Sequence, residues 1–188
     1  IKNKFVFFKN FNGLKIINIG RLTYQKDQIT LLKAFAKLIK FRKAKLLLLG
    51  SGDDEIHLKY FIQKERLNKF VRIIPYASNP FRYIALSDIK VLSSRFEGSP
   101  NILLETACLK KLIISTNCKV GPSETLQSGK GGILFKVGDY NQLFLILKNI
   151  NLKSNINKNK IKKSYAYVIK NYQKDISKTF IRKIRKLL

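Results

Sequence analysis

A chain of 188 residues that is 45% hydrophobic carries enough apolar side chains for one domain with a real core, and this composition supports a folded rather than a disordered protein. Its net charge of +27, from 38 Lys and Arg against 11 Asp and Glu, would attract nucleic acid, phosphates or anionic lipid headgroups. No apolar run approaches the roughly 18 residues of a membrane helix, the opening IKNKFVFFKN lacks a signal peptide's apolar block, and two cysteines without a CxxC pair fit a cytosolic protein with both thiols buried.

The lysines are spread along the chain among many Ile and Asn residues, the mark of a compositional bias, so most of the charge reads as solvated surface. KIINIG (15–20) reads as a buried strand. DQITLLKAFAKLIKF (27–41) then sets Leu31, Leu32, Phe35, Leu38 and Ile39 at helical spacing opposite Lys33, Lys37 and Lys40. AKLLLLG (44–50) is a continuous apolar strand, and DDEIHLKYFIQKERL (53–67) is a helix whose acidic opening, Asp53 and Asp54, suits a helix N-terminus. VRIIPY (71–76), DIKVLS (88–93) and KLIIST (111–116) continue the strands, with helices near 79–87 and 100–110. A weaker strand (131–135), a helix (140–150), a polar and basic boundary loop NLKSNINKNKIKK from 151, and a basic helix at about 160–188 complete the chain.

Strands that are apolar throughout, alternating with helices, imply a doubly wound α/β domain: a parallel sheet covered on both faces, Rossmann-like, over residues 1–150. Ligands in such sheets bind beyond the carboxyl ends of the strands, so the loops there are the places to search.

Two such loops hold candidate chemistry. SRFEGSPNILLETA (94–107) places Glu97 in a loop and Glu105 in the following helix, although acids are scarce in this chain. Gly98 permits a tight entry, Ser99 is the expected cap and Pro100 suits the first turn. The N–H groups around Asn101 and Ile102 then make a natural phosphate site, bracketed by the two carboxylates. GRLTYQKD (20–27) follows the first strand: Gly20 allows close backbone approach, and Arg21 and Lys26 would put two cations at the mouth of the sheet. GSGDD (50–54) is neither G-x-G-x-x-G nor a P-loop, which weighs against dinucleotide and ATPase chemistry. His57, the single histidine, sits among charged neighbours and reads as surface; no D-x-D motif appears and no metal is expected.

GRLTYQKD, LLLLGSGDD, SRFEGSPNILLETA, STNCKVGPSETL and GGILFKVGD resemble, in order and spacing, the C-terminal nucleotide-sugar-binding domain of family 4 retaining glycosyltransferases of the GT-B fold. The similarity covers about residues 14–150 and looks most like bacterial enzymes of capsule, lipopolysaccharide or lipid-linked oligosaccharide synthesis. The resemblance assigns Arg21 and Lys26 to the donor diphosphate, Glu97 to the donor sugar near the reacting carbon, Glu105 to the ribose, Ile74 backbone to the base, and the amides of Asn101 and Ile102 to phosphate. It implies a UDP-linked sugar as donor substrate, no cofactor, a glycan or lipid-linked acceptor, and a cytoplasmic location with peripheral contact to an anionic membrane. It also implies an N-terminal acceptor domain absent from this chain, against which the C-terminal helix would pack; the lack of any methionine agrees with a missing upstream part. Lys110, Lys111 and Leu112 stand where the family usually has a Gly-x-Pro turn, and Pro75 replaces a usual glycine. The competing readings are a basic module for nucleic acid or anionic lipid on a degenerate scaffold, with Tyr165, Tyr167 and Tyr172 interleaved among tail lysines, or an inactive gene remnant.

Overall fold

Short apolar runs bounded by turns give six strands. A computed structural model describes residues 7–172. In chain order they are β1 (Leu14–Ile19), α1 (Gln28–Leu38), β2 (Ala44–Leu49), α2 (Glu55–Lys64), β3 (Val71–Ile74), α3 (Pro80–Leu86), β4 (Ile89–Leu92), α4 (Asn101–Cys108), β5 (Leu112–Thr116), α5 (Pro122–Thr125), β6 (Ile133–Phe135), α6 (Tyr140–Asn149) and α7 (Asn155–Tyr172). The strands form one sheet of order β3-β2-β1-β4-β5-β6, parallel at every pairing. This is the doubly wound α/β arrangement expected from continuous apolar strands, and its order reverses between β1 and β4.

Alternation along each strand sorts the side chains to two faces. On one face Ile16, Leu46, Leu48, Ile89, Val91 and Ile114 join a single apolar cluster with α1, α2 and α6. On the other, Ile17, Leu47, Leu49 and Ile74 pack with Tyr83 and Ile84 of α3, whereas Leu92 and Ile113 pack with Leu103 and Ala107 of α4 and Val168 of α7. Lys90 stands between these two groups, paired across the sheet with Ile17 on one side and Ile113 on the other.

The polar stretch after residue 150 is a loop only to about 154, and the helix begins at Asn155 rather than near 160. Val168 is buried, Ser164 lies against Gly131, and Lys160 donates to the Gly129 carbonyl, so the described part of this helix packs on α4 and the turn before β6. The remainder of the expected helix, 173–188, lies outside the described residues. The short α5 was not anticipated; Pro122 starts it and Gly121 precedes it with φ of 90°. Lys110 takes the left-handed conformation (φ 53°) that ends α4, and the amides of Lys110 and Lys111 bond back to Ala107 and Thr106, the pattern for which glycine is the usual residue. No helix among the described residues is long and apolar enough to cross a membrane.

Candidate functional site

The rim at the carboxyl ends of β1, β2 and β3 is built from backbone in close register. Gly20 N–H donates to the Leu49 carbonyl at 3.0 Å, Gly50 N–H to Ile74 at 2.8 Å, and Leu22 N–H to Ser51 at 2.9 Å, so the pairing runs on past the strands. A side chain at Gly50 would strike the Gly20 carbonyl, which explains the glycine there. Gly20 itself leaves room beside the aliphatic stem of Lys26, whose carbons lie 3.6 Å from where a Cβ would stand.

At the switch between β1 and β4 the two candidate loops are bonded to each other. Ser93 Oγ donates to the Lys26 carbonyl at 2.9 Å, Arg95 N–H to Gln25 at 2.8 Å, and Gln25 Nε2 to Phe96 at 3.1 Å. Asp27, buried and left-handed (φ 46°), receives Thr30 Oγ1 at 2.9 Å and Arg95 at 3.3 Å, while the Arg95 guanidinium lies 4.4 Å over the Tyr24 ring. Through this scaffold Lys26 Nζ reaches Glu97 Oε1 at 2.6 Å, and Ser94 Oγ donates to the same oxygen at 2.6 Å. The Glu97 side chain is only 6% exposed, so this is a largely desolvated ion pair. Oε2 keeps no protein partner among the described residues. Arg21 is exposed on the same rim; its carbonyl accepts from Gln28 Nε2 at 2.8 Å, and its guanidinium has no partner among the described residues.

The entry to α4 departs from the sequence reading. Pro100, not Ser99, occupies the cap position, and no side chain caps the helix. The Ser99 carbonyl accepts from Asn101 N–H at 2.9 Å, so that amide is turned inward, and of the two expected donors only Ile102 N–H lacks a backbone acceptor among the described residues. The physical reason is the proline: held at φ −78° with ψ 78°, Pro100 makes a tight turn just before the helix instead of extending it. Gly121 fixes the turn from behind, because a Cβ there would stand 2.5 Å from the Gly98 carbonyl and 2.7 Å from Pro100.

The Glu105 side chain, half-buried on α4, makes no hydrogen bond or ion pair among the described residues, and burial raises its carboxyl above the usual range while Lys90 pulls it back. Lys90 escaped the sequence reading. It is fully buried in β4, and burial first, then Lys26, lower its ammonium to about 7 against the opposing pull of Glu97 and Glu105. One lysine among 38 basic residues carries no signal by itself. Its position inside an otherwise apolar parallel strand does, because a cation there needs acidic company, and the two glutamates supply it.

The other expected positions fall as follows. Ile74 ends β3 with its side chain buried and its carbonyl engaged by Gly50. Asp54 stands at the start of α2 without a side-chain cap bond, His57 is exposed on that helix, and Cys108 is half-buried whereas Cys118 is buried.

Sheet order, parallel pairing and the reversal between β1 and β4 define a Rossmann-like, doubly wound α/β domain. The chain belongs to the glycosyl transferases group 1 family, whose model matches residues 1–174. It is 40% identical over 126 residues to an uncharacterized glycosyltransferase of Methanocaldococcus jannaschii, covering 66% of this chain and 29% of that protein. It is 29% identical over 165 residues to the N-acetylgalactosamine-N,N'-diacetylbacillosaminyl-diphospho-undecaprenol 4-alpha-N-acetylgalactosaminyltransferase of Campylobacter jejuni, covering 88% of this chain and 42% of that one. Among solved structures, a variant of S. aureus TarM in complex with UDP, alpha-GlcNAc-glycerol and fondaparinux superposes with a TM-score of 0.79 at 18% identity, covering 93% of this chain and 35% of that one. The chain thus spans less than half the length of these relatives.

Proposed function

We propose that this chain is the donor-binding half of a retaining, family 4 type glycosyltransferase that uses a UDP-linked sugar. The observation that carries the reading is the direct contact of Lys26 with Glu97 at the strand-order reversal, with Arg21 exposed on the same rim and Glu105 a short way along α4. In this reading Arg21 and Lys26 take the diphosphate, the Ile102 amide supplements them, the half-buried carboxylate of Glu105 receives the ribose hydroxyls, and Glu97 stands beside the sugar. Gly98 and Ser99 form the turn that lets the nucleotide reach the helix start.

The chemistry asked of these groups is electrostatic. As the bond between the anomeric carbon and the diphosphate oxygen breaks, negative charge grows on the leaving phosphate, and fixed cations stabilise it more in the transition state than in the bound donor. No cofactor enters this reading. The acceptor is a glycan or lipid-linked saccharide of cell-surface polysaccharide synthesis, held by a further domain at the cytoplasmic face of the membrane; the diphospho-undecaprenol in the name of the Campylobacter relative supports the lipid-linked form.

Calorimetric titration with UDP tests the assignment. Wild type should bind UDP, and Arg21→Ala, Lys26→Ala and Glu105→Ala should each weaken binding by about tenfold or more, as loss of a charge-assisted bond implies. Equal affinity in all four proteins would remove the assignment.

A further inference from the structure

Lys90 has no task in the reading above. It lies mid-strand with no exposed surface, and its Nζ donates to the Val91 carbonyl at 3.2 Å and the Ile19 carbonyl at 3.4 Å. An ammonium has three N–H donors. These two bonds are long, and the third donor has no protein acceptor among the described residues. Ile19 immediately precedes Gly20, so the ammonium sits beneath the strand end where the loop to Lys26 begins. The charged groups that face it are Lys26 from that loop, Glu97 from the loop after β4 and Glu105 from α4.

Counting charge shows why this matters. With Lys90 ionised, two cations face two carboxylates; with Lys90 neutral, the group carries one excess negative charge. A diphosphate that engages Lys26 draws it from Glu97, and among the described residues that nearly buried carboxylate then keeps only the Ser94 hydroxyl. An unpaired buried carboxylate is costly.

We propose that Lys90 is a positioning residue of the donor site: a cation beneath the sheet edge that balances Glu97 and Glu105 when a nucleoside diphosphate engages Lys26, taking one proton from solvent onto its Nζ as the diphosphate binds. The inference rests on the donor reading of the same site. It agrees in sign with the buried ammonium's lowered value of about 7, because a nearby polyanion stabilises the charged form and drives protonation. Lys90 does not touch the donor; it acts through the two glutamates.

The test is UDP titration of the 188-residue chain at pH 8, where the phosphates of free UDP are ionised, in HEPES and in Tris, two buffers of unlike ionisation enthalpy. The expected result is an apparent enthalpy that differs between buffers by the uptake of most of one proton per UDP. Lys90→Met, similar in length and uncharged, should bind UDP about tenfold more weakly at pH 8, the loss expected when binding protonates an amine that is mostly neutral beforehand, and show no uptake. UDP binding without buffer dependence, or undiminished uptake in Lys90→Met, overturns the inference while leaving the donor reading standing. Failure of wild type to bind UDP overturns the donor reading and this inference together. Should Lys90→Met not fold, the buffer dependence of wild type decides alone.

Discussion

On the face of the sheet covered by α1, α2 and α6, side chains from all the inner strands merge into one apolar cluster; on the face covered by α3, α4 and α7, the apolar contacts divide in two, and Lys90 fills the strand position between them. Both faces are equally hidden from water, yet they bury different things. The first face converts burial into stability. The second gives up part of that gain to hold a lysine amine against the Ile19 and Val91 carbonyls at the strand-order reversal, within the electrostatic influence of Glu97 and Glu105, and such local violations of core rules are where function concentrates.

Substitutions should separate the faces by sign as well as by size. Phe35→Ala, in the first cluster, removes a fully buried ring and should lower unfolding free energy by about 3–5 kcal/mol in urea titrations. Lys90→Met is equally buried but should leave stability at pH 6.5 undiminished or raise it by about 1–3 kcal/mol, since burial disfavours the ammonium more than Glu97 and Glu105 favour it and a methionine carries no such cost. A loss as large as that of Phe35→Ala would erase the distinction.

The pH dependence sharpens it. Because the folded state holds the Lys90 ammonium near 7 and the unfolded chain near 10.5, the unfolded state binds the extra proton between those values. Wild-type stability should therefore rise with pH from about 7 toward 10 relative to Lys90→Met, and the difference should be flat below 7. The lowered Lys111 acts in the same direction but is common to both proteins. Melting temperatures of the two proteins from pH 6 to 10 check this.

Smaller effects follow at the support of the site and at the outer surface. Gly121→Ala forces a Cβ toward the Gly98 carbonyl at a positive φ, so it should cost about 1–2 kcal/mol and weaken UDP binding as well, measured by denaturation and calorimetry. Glu55→Gln breaks a partly exposed i,i+4 pair with Lys59 and should change stability by less than about 0.5 kcal/mol.

The sheet was legible because its strands are uninterrupted apolar runs, and a parallel sheet with its ligand edge at the carboxyl ends follows from that pattern. Hence Arg21, Lys26 and Glu97 could be placed on one rim from loop positions alone, and Lys26 and Glu97 do meet. The cap of α4 was not legible, since Ser99 and Pro100 compete for adjacent roles and only the backbone geometry decides between them. Asn and Lys between 151 and 163 hid the first turn of α7, a helix expected only from about 160, whose inward positions, Asn157, Ser164 and Val168, are mostly polar or small. Lys90 was hidden by number: in so basic a chain a lysine inside an apolar run reads as composition, and its meaning depends on pairing with Ile17 and Ile113, which no local pattern reveals.

The structure of this chain with UDP bound tests the central claim most directly. The account predicts the diphosphate within hydrogen-bond distance of Arg21 and Lys26 at the start of α4, the ribose on Glu105, and the 2.6 Å contact between Lys26 and Glu97 opened. A diphosphate bound away from this rim, with that contact intact, would contradict it.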